Sequence, residues 1–324
     1  MENRAEIDEP RRMGSSTGGL RTDIRLVSMF VTFLAGCVGD TPATQQPDAG
    51  TADTGPVPDT GTQQDTGPDS AVFSPSSLGG LVLWLDASKG VTSDGSNRVT
   101  AWNDQSGKGN HATYVPNDAS VAVAPLLIAN GVNGRPAVQF GNPGGASSTA
   151  RLQVADSASL RLGTGDFYVS VVAMWTNGDP GTPNSNVWGT LYHKADYPAY
   201  TGGVHFFGSF PDPVTDGTLG GGTSAGVNVK SATMKLNNGT WRQLAFVRVN
   251  GAISVRVNGT TDGTPTANAT ANCDATSVAA YIGSIANDNH TLQGKIAEMI
   301  LVSGTMSSKD VADVESYFKV KYGL

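Results

Sequence analysis

The sequence is poor in the residues from which catalytic and metal centres are most often built. It has only two cysteines, Cys37 and Cys273, so no set of disulfides staples the folded part. Beyond residue 36 it has only two glutamates, Glu298 and Glu315. Its four histidines, His111, His193, His205 and His290, form no His-x-x-x-His pair and no Cys/His cluster of zinc spacing. Charged residues make up 15% of the chain, and residues 71–324 carry 16 basic against 17 acidic groups. A domain so close to neutral has no electrostatic footprint for nucleic acid. The apolar run at 26–34 is nine residues long, too short to cross a roughly 30 Å hydrocarbon core as a helix.

What that run does resemble is an export signal. Arg21 and Arg25 precede it, and Ala35-Gly36-Cys37 follow, giving a basic region, a short apolar region and small residues at the cleavage point. Leu34-Ala35-Gly36-Cys37 resembles the bacterial lipobox. That resemblance implies cleavage before Cys37 and lipidation of its thiol, with residues 1–36 as signal peptide and a lipid bilayer as partner. Met13 offers a second start that gives a signal peptide of more usual length. An ordinary signal peptide with an incidental cysteine is the alternative. Val38, not aspartate, follows Cys37. By resemblance to bacterial sorting rules, this implies the outer membrane or cell surface of a Gram-negative bacterium. If Cys37 carries lipid, no disulfide can form within the chain.

Residues 37–77 read as a disordered linker. Residues 40–70 carry six Asp and no Lys or Arg, which accounts for nearly all of the net charge of −7. Asp-Thr-Gly recurs at 53–55, 59–61 and 65–67 among Thr, Pro, Gln and Ala. Such a segment cannot bury enough apolar surface to offset its ordering entropy. Proline stiffens it and like charges extend it, as suits a tether. A calcium-binding repeat is the rival reading, but the spacing lacks a dense ladder of oxygen ligands.

From residue 78 onward the pattern changes. Short apolar or alternating runs at 81–85, 137–140, 167–175, 187–192, 204–207, 241–249, 253–257, 279–282 and 296–302 sit between Gly, Pro, Asn and Asp clusters. This predicts an all-β fold, a two-sheet antiparallel sandwich. Asn250-Gly251 predicts a type I′ hairpin pairing Val249 with Ala252 and Phe246 with Val255. One face of it carries Leu244, Phe246, Ile253, Val255 and Val257 toward the core; the other carries Ala245, Val247, Ser254 and Arg256 and is expected to be partly wet. A single short helix closes the chain. Ser307 and Asp310 form its capping box, Val311, Val314 and Phe318 share a face, and Gly323 stands just past its end.

A family resemblance runs through residues 78–324. It is carried by Leu81-Val82-Leu83-Trp84-Leu85-Asp86-Ala87, Trp102-Asn103-Asp104-Gln105-Ser106-Gly107-Lys108-Gly109-Asn110-His111-Ala112 and Asn130-Gly131-Val132-Asn133-Gly134-Arg135-Pro136. Gly165-Asp166-Phe167, Trp241, Val257-Asn258-Gly259, Gly294-Lys295-Ile296-Ala297-Glu298 and Lys321-Tyr322-Gly323 continue it. Together they resemble the laminin-G-like branch of the concanavalin A-like lectin/glucanase folds. The resemblance implies a jelly roll that binds a glycan or a protein ligand, in some members with Ca²⁺.

Glycanases of this fold class resemble one another in a Glu-x-Asp-x-x-Glu strand, which supplies the paired carboxylates of glycoside hydrolysis. Glu298 is flanked at two residues' distance by Ile296 and Ile300, and Glu315 falls on the helix, so that strand is absent. Gly222-Thr223-Ser224-Ala225-Gly226 matches a nucleophile elbow by letter, but a strand-like segment follows it where a helix is needed. The turn-rich segment 176–226 holds the candidate ligand contacts Asp196, Tyr197, Tyr200, Tyr192 and His193, since loop aromatics present flat apolar faces to sugar rings. Asn103, Asp104 and Asn110 form an oxygen-rich loop that is a candidate Ca²⁺ site, with an Asx turn as the plainer reading. Cys273 reads as an incidental thiol in a polar loop. The leading expectation is a surface-displayed, non-catalytic module that recognises a polysaccharide or glycoprotein. The alternatives are a structural or protein-adhesion module, and a glycan hydrolase or lyase with a non-standard Asp pair.

Overall fold

The computed structural model describes residues 72–116, 124–141, 151–177, 188–196, 201–209, 216–223, 226–285 and 290–324. The signal peptide, Cys37, the Asp-rich part of the linker, Tyr197 and Tyr200 lie outside these residues. In chain order the strands are β1 (Leu81–Asp86), β2 (Val91–Ser93), β3 (Val99–Trp102), β4 (Ala112–Tyr114), β5 (Leu126–Val132), β6 (Arg135–Phe140), β7 (Leu152–Val154), β8 (Phe167–Trp175), β9 (Gly189–Asp196), β10 (Thr201–Gly208), β11 (Leu219–Thr223), β12 (Asn228–Lys230), β13 (Arg242–Val249), β14 (Ala252–Val257), β15 (Thr260–Thr261), β16 (Thr266–Ala267), β17 (Ala280–Ile282) and β18 (Gly294–Ser303). One α-helix, α1 (Ser308–Tyr322), follows them.

The strands form two antiparallel sheets of nine. The first runs β15-β14-β13-β8-β18-β6-β5, with β1 on β18 and β16 on β14. The second runs β12-β11-β10-β9-β17-β7-β4-β3-β2. This is the all-β sandwich that the alternating runs predict. Residues from both sheets meet in one core, in which Trp102, Phe140, Phe167, Trp175, Phe206 and Phe246 are at most 1% exposed. Each such side chain contributes about 1.5–3 kcal/mol by leaving water.

The hairpin forms as its turn residues require. Asn250 and Gly251 adopt φ of 50° and 71°, and β13 pairs with β14 in the register Val249↔Ala252 and Phe246↔Val255. Its second face differs from the expectation. Ala245 and Val247 are buried, because α1 packs over the outer face of the first sheet. Val314, Phe318 and Tyr322 fill a second apolar cluster there with Trp84, Tyr168 and Ile300. Ser254 and Arg256 are half-buried, and Arg256 Nε donates to Glu315 Oε1 at 2.8 Å. The helix begins at the capping box of Ser307 and Asp310 and ends at Gly323, whose φ of 66° is left-handed. No described helix is long and apolar enough to cross a membrane.

Candidate functional site

Strand alternation decides what the second sheet presents on its outer face. On β10, Val204 and Phe206 point into the core, so His205 and Phe207 point out. On β9 the pairing with β10 shifts by one residue, so Leu191 and Tyr192 both enter the core and His193 turns outward. Cross-strand pairing then aligns Asn228, Gly222, His205, His193, Tyr281, Gln153, Thr113, Ala101 and Thr92 across all nine strands. Neighbouring strands lie about 4.8 Å apart, so these residues form one continuous stripe. The stripe contains no carboxylate and no Lys or Arg. Its centre, Gly222, His205 and His193, is buried; Tyr281 and Gln153 are half-buried; Asn228, Thr113 and Thr92 are exposed.

The buried centre is an aromatic and imidazole cluster. The Phe207 ring lies 5.6 Å from His205 and 6.1 Å from each of His193, Trp188 and His290. Trp188 stacks on His290 at 4.4 Å. Burial, followed by the nearby His205 and His290, pushes His193 down to about 3. Burial pushes His205 down to about 4, against the opposing effect of its bond to Asn228. Both rings are therefore neutral at neutral pH. His205 Nε2 lies 3.2 Å from Asn228 Oδ1, a bond that requires the ring proton on Nε2. Toward the open arm, the Arg151 guanidinium sits 5.0 Å over the Tyr281 ring and donates to the Ile285 carbonyl at 2.7 Å. These contacts hold the tyrosine as a fixed platform.

The sequence-based candidates are distributed unevenly about this face. Asp196 stands exposed at the end of β9, paired with Thr201 of β10. His193 is in the stripe but buried. Tyr192 does not share its face: its ring is in the inter-sheet core at 1% exposure, so the expectation of a ligand contact there fails. Tyr197 and Tyr200 lie outside the described residues. Trp188, half-buried, packs on the outer face against Phe207 and Ile285. Cys273 is not in an exposed polar loop; it is buried in the inter-sheet core. Tyr281, Gln153, Thr113 and Asn228 are absent from the sequence-based set, because only strand order brings them into line.

The Asn103, Asp104 and Asn110 loop is a hydrogen-bonded staple and leaves little for a cation. Asp104 Oδ1 accepts from the backbone N–H of Trp84 and Ser106, both at 2.9 Å. Its Oδ2 accepts from Ser106 Oγ at 2.7 Å and Asn110 N at 3.0 Å. Asn110 Nδ2 donates to the Val82 carbonyl at 2.7 Å. The carboxylate's acceptor positions are thus filled by the loop itself. Among the described residues, no group of three His, Cys, Asp or Glu is arranged to hold a metal.

One carboxylate pair does form, on the other sheet. Asp86 and Glu298 are cross-strand partners on β1 and β18, and both are fully buried beneath α1. Lys321 Nζ bridges them at 2.7 Å and 2.6 Å. Trp84 Nε1, Tyr317 Oη and Tyr322 Oη also donate to Glu298, at 2.6, 2.9 and 2.7 Å. Burial, and then Asp86, pushes the Glu298 carboxyl above the ordinary range. With an ammonium between the carboxylates and three further donors around them, the pair latches the helix to the sheet.

Two packed antiparallel sheets with one helix over an outer face define a β-sandwich domain. Residues 145–312 match Laminin_G_3, the concanavalin A-like lectin/glucanases superfamily, and the chain belongs to that family. Among curated proteins, none matches the chain. Three of the solved structures that resemble it are the binding domain of Paraclostridial Mosquitocidal Protein 1, domain 4 of the Geobacillus stearothermophilus arabinanase AbnA, and the botulinum neurotoxin serotype G binding domain. The first is 13% identical with a TM-score of 0.53, covering 76% of this chain and 53% of that one. The second is 15% identical with a TM-score of 0.49, covering 72% and 98%. The third is 10% identical with a TM-score of 0.49, covering 73% and 51%. The chain thus spans about half the length of the two toxin chains, and at these identities the likeness is one of fold.

Proposed function

We propose that the domain is a carbohydrate-recognition module without catalytic activity, held at the cell surface by lipid on Cys37 and by the acidic linker. The observation that carries this reading is the uncharged polar stripe on the second sheet. Sugar hydroxyls need donors and acceptors together, which the Gln153 amide and the Thr113 and Tyr281 hydroxyls supply on the open arm of the stripe. The Tyr281 ring, fixed by Arg151, offers a flat apolar face to the C–H face of a pyranose. Both glutamates beyond residue 36 are engaged elsewhere, Glu298 with Lys321 and Glu315 with Arg256. The matching part of the mosquitocidal protein is a binding domain by its name, which supports a binding role. The test is binding of the full chain to an array of polysaccharides and glycoproteins, paired with a reducing-end assay on each bound polysaccharide. Binding without new reducing ends is expected. Absence of any glycan binding, or release of reducing ends, would contradict the proposal.

A further inference from the structure

The outer face of the first sheet is not wholly covered by α1. Ala137 on β6, Ala297 on β18 and Val172 on β8 belong to the cluster beneath the helix. Two residues further along each strand stand Gln139, Lys295 and Met174, which point the same way and are half-buried. They are in direct register, Lys295 pairing with Gln139 on one side and Met174 on the other. They form the floor of a cavity of about 220 Å³, walled by Thr176 and Gln293.

Three features make this cavity a site. The side chains of Gln139, Gln293 and Lys295 make no hydrogen bond or ion pair among the described residues, although all three line one small space. The wall is held in place before any ligand arrives: Gln293 N donates to Asn177 Oδ1 at 2.7 Å, and its carbonyl accepts from Thr176 N at 2.9 Å. Finally, the lining has a cation and no acid. Two amides offer donors and acceptors to hydroxyl groups, the Met174 thioether offers a polarisable apolar surface, and Lys295 offers a charge-assisted bond to an oxyanion. The volume lies below the roughly 300–1,000 Å³ of sites for drug-sized ligands, so it suits one sugar ring.

We propose that this cavity is a second saccharide site, separate from the stripe on the second sheet, which takes a single carboxylate-bearing sugar residue with Lys295 as its counter-ion. The proposal does not depend on the stripe's binding glycan. Its test is a titration of the full chain, labelled with ¹³C at the methionine methyl groups, with galacturonate, N-acetylneuraminate and neutral galactose. The Met174 methyl signal is expected to shift saturably with at least one acidic sugar, while that of Met299, fully buried in the core, stays in place. Lys295→Gln is expected to weaken the acidic sugar by about tenfold or more and to leave galactose unchanged. Tyr281→Ala, which alters the other face, leaves the Met174 response intact. The proposal is overturned if Met174 responds to neither acidic sugar, if galactose moves it equally, or if Lys295→Gln leaves the acidic-sugar affinity as it was.

Discussion

His205 lies over Gly222, its cross-strand neighbour, in the space that a β-carbon at Gly222 would need. The Asn228 carboxamide closes the same space from the next strand. The glycine is thus a seat for the imidazole and sets where the stripe's buried centre ends. Gly222→Ala forces the ring and the amide apart. It is expected to destabilise the domain by about 1–3 kcal/mol, as overpacking does. Urea unfolding of the variant measures this; an unchanged midpoint would show that the ring moves aside without cost.

The latch under α1 makes a second prediction. Lys321 bridges two buried carboxylates that are themselves neighbours. Lys321→Met leaves Asp86 and Glu298 facing each other with only the exposed Lys89, 4.0 Å from Asp86, as counter-charge. Loss of about 3–5 kcal/mol is expected, since removing one partner strands a buried charge. Replacing Lys321 and both carboxylates together by apolar residues should cost less than Lys321→Met alone. Chemical denaturation of the two variants tests the order, and the reverse order would show that the network contributes little.

Acid should weaken the domain through its histidines. In the unfolded chain both titrate near about 6.5. In the folded protein burial holds His193 down to about 3 and His205 to about 4. The unfolded state therefore takes up protons first as pH falls. The stability contributed by the neutral rings is complete above about pH 6.5 and is lost progressively as pH falls through about 4 and then 3. Asp156, held well below the usual carboxylate range by Arg161 and then Lys194, adds a loss of the same sign at lower pH. His193→Gln is expected to flatten the fall in Tm between about pH 7 and about pH 4. An equally steep fall in the variant would place the acid sensitivity elsewhere.

The anchor is tested by location. Cys37→Ser removes the thiol that lipidation needs, so the variant is expected in the soluble exported fraction while the unaltered chain stays with membranes. Retention of the variant in the membrane fraction would rule out Cys37 as the anchor.

What the sequence reveals and what it conceals divide along the range of the interactions. The Asn250-Gly251 turn, the Ser307 and Asp310 capping box and Gly323 act within a few residues, and each is legible in the letters. Ala245 and Val247 are misread as wet because alternation gives two faces but does not say that a helix some seventy residues later covers the second. Tyr192 and His193 are neighbours on one strand and so stand on opposite sides of the sheet, which a reading of that segment as turn-rich loop conceals. The stripe itself joins residues from Thr92 to Tyr281 and depends wholly on strand order. The nearest local sign of it is the Val204-His205-Phe206-Phe207 run, in which two polar-face side chains alternate with two core ones.

The central claim is that the open arm of the stripe, Tyr281, Gln153 and Thr113, meets the sugar. The most direct measurement is calorimetric titration of the best-bound glycan into the unaltered chain and into Tyr281→Ala and Gln153→Ala. Tyr281→Ala is expected to lose about tenfold or more in affinity, from the missing stacking face, and Gln153→Ala somewhat less, with both variants keeping the parent Tm. Unchanged affinity in both would contradict the account and move the binding site off this face.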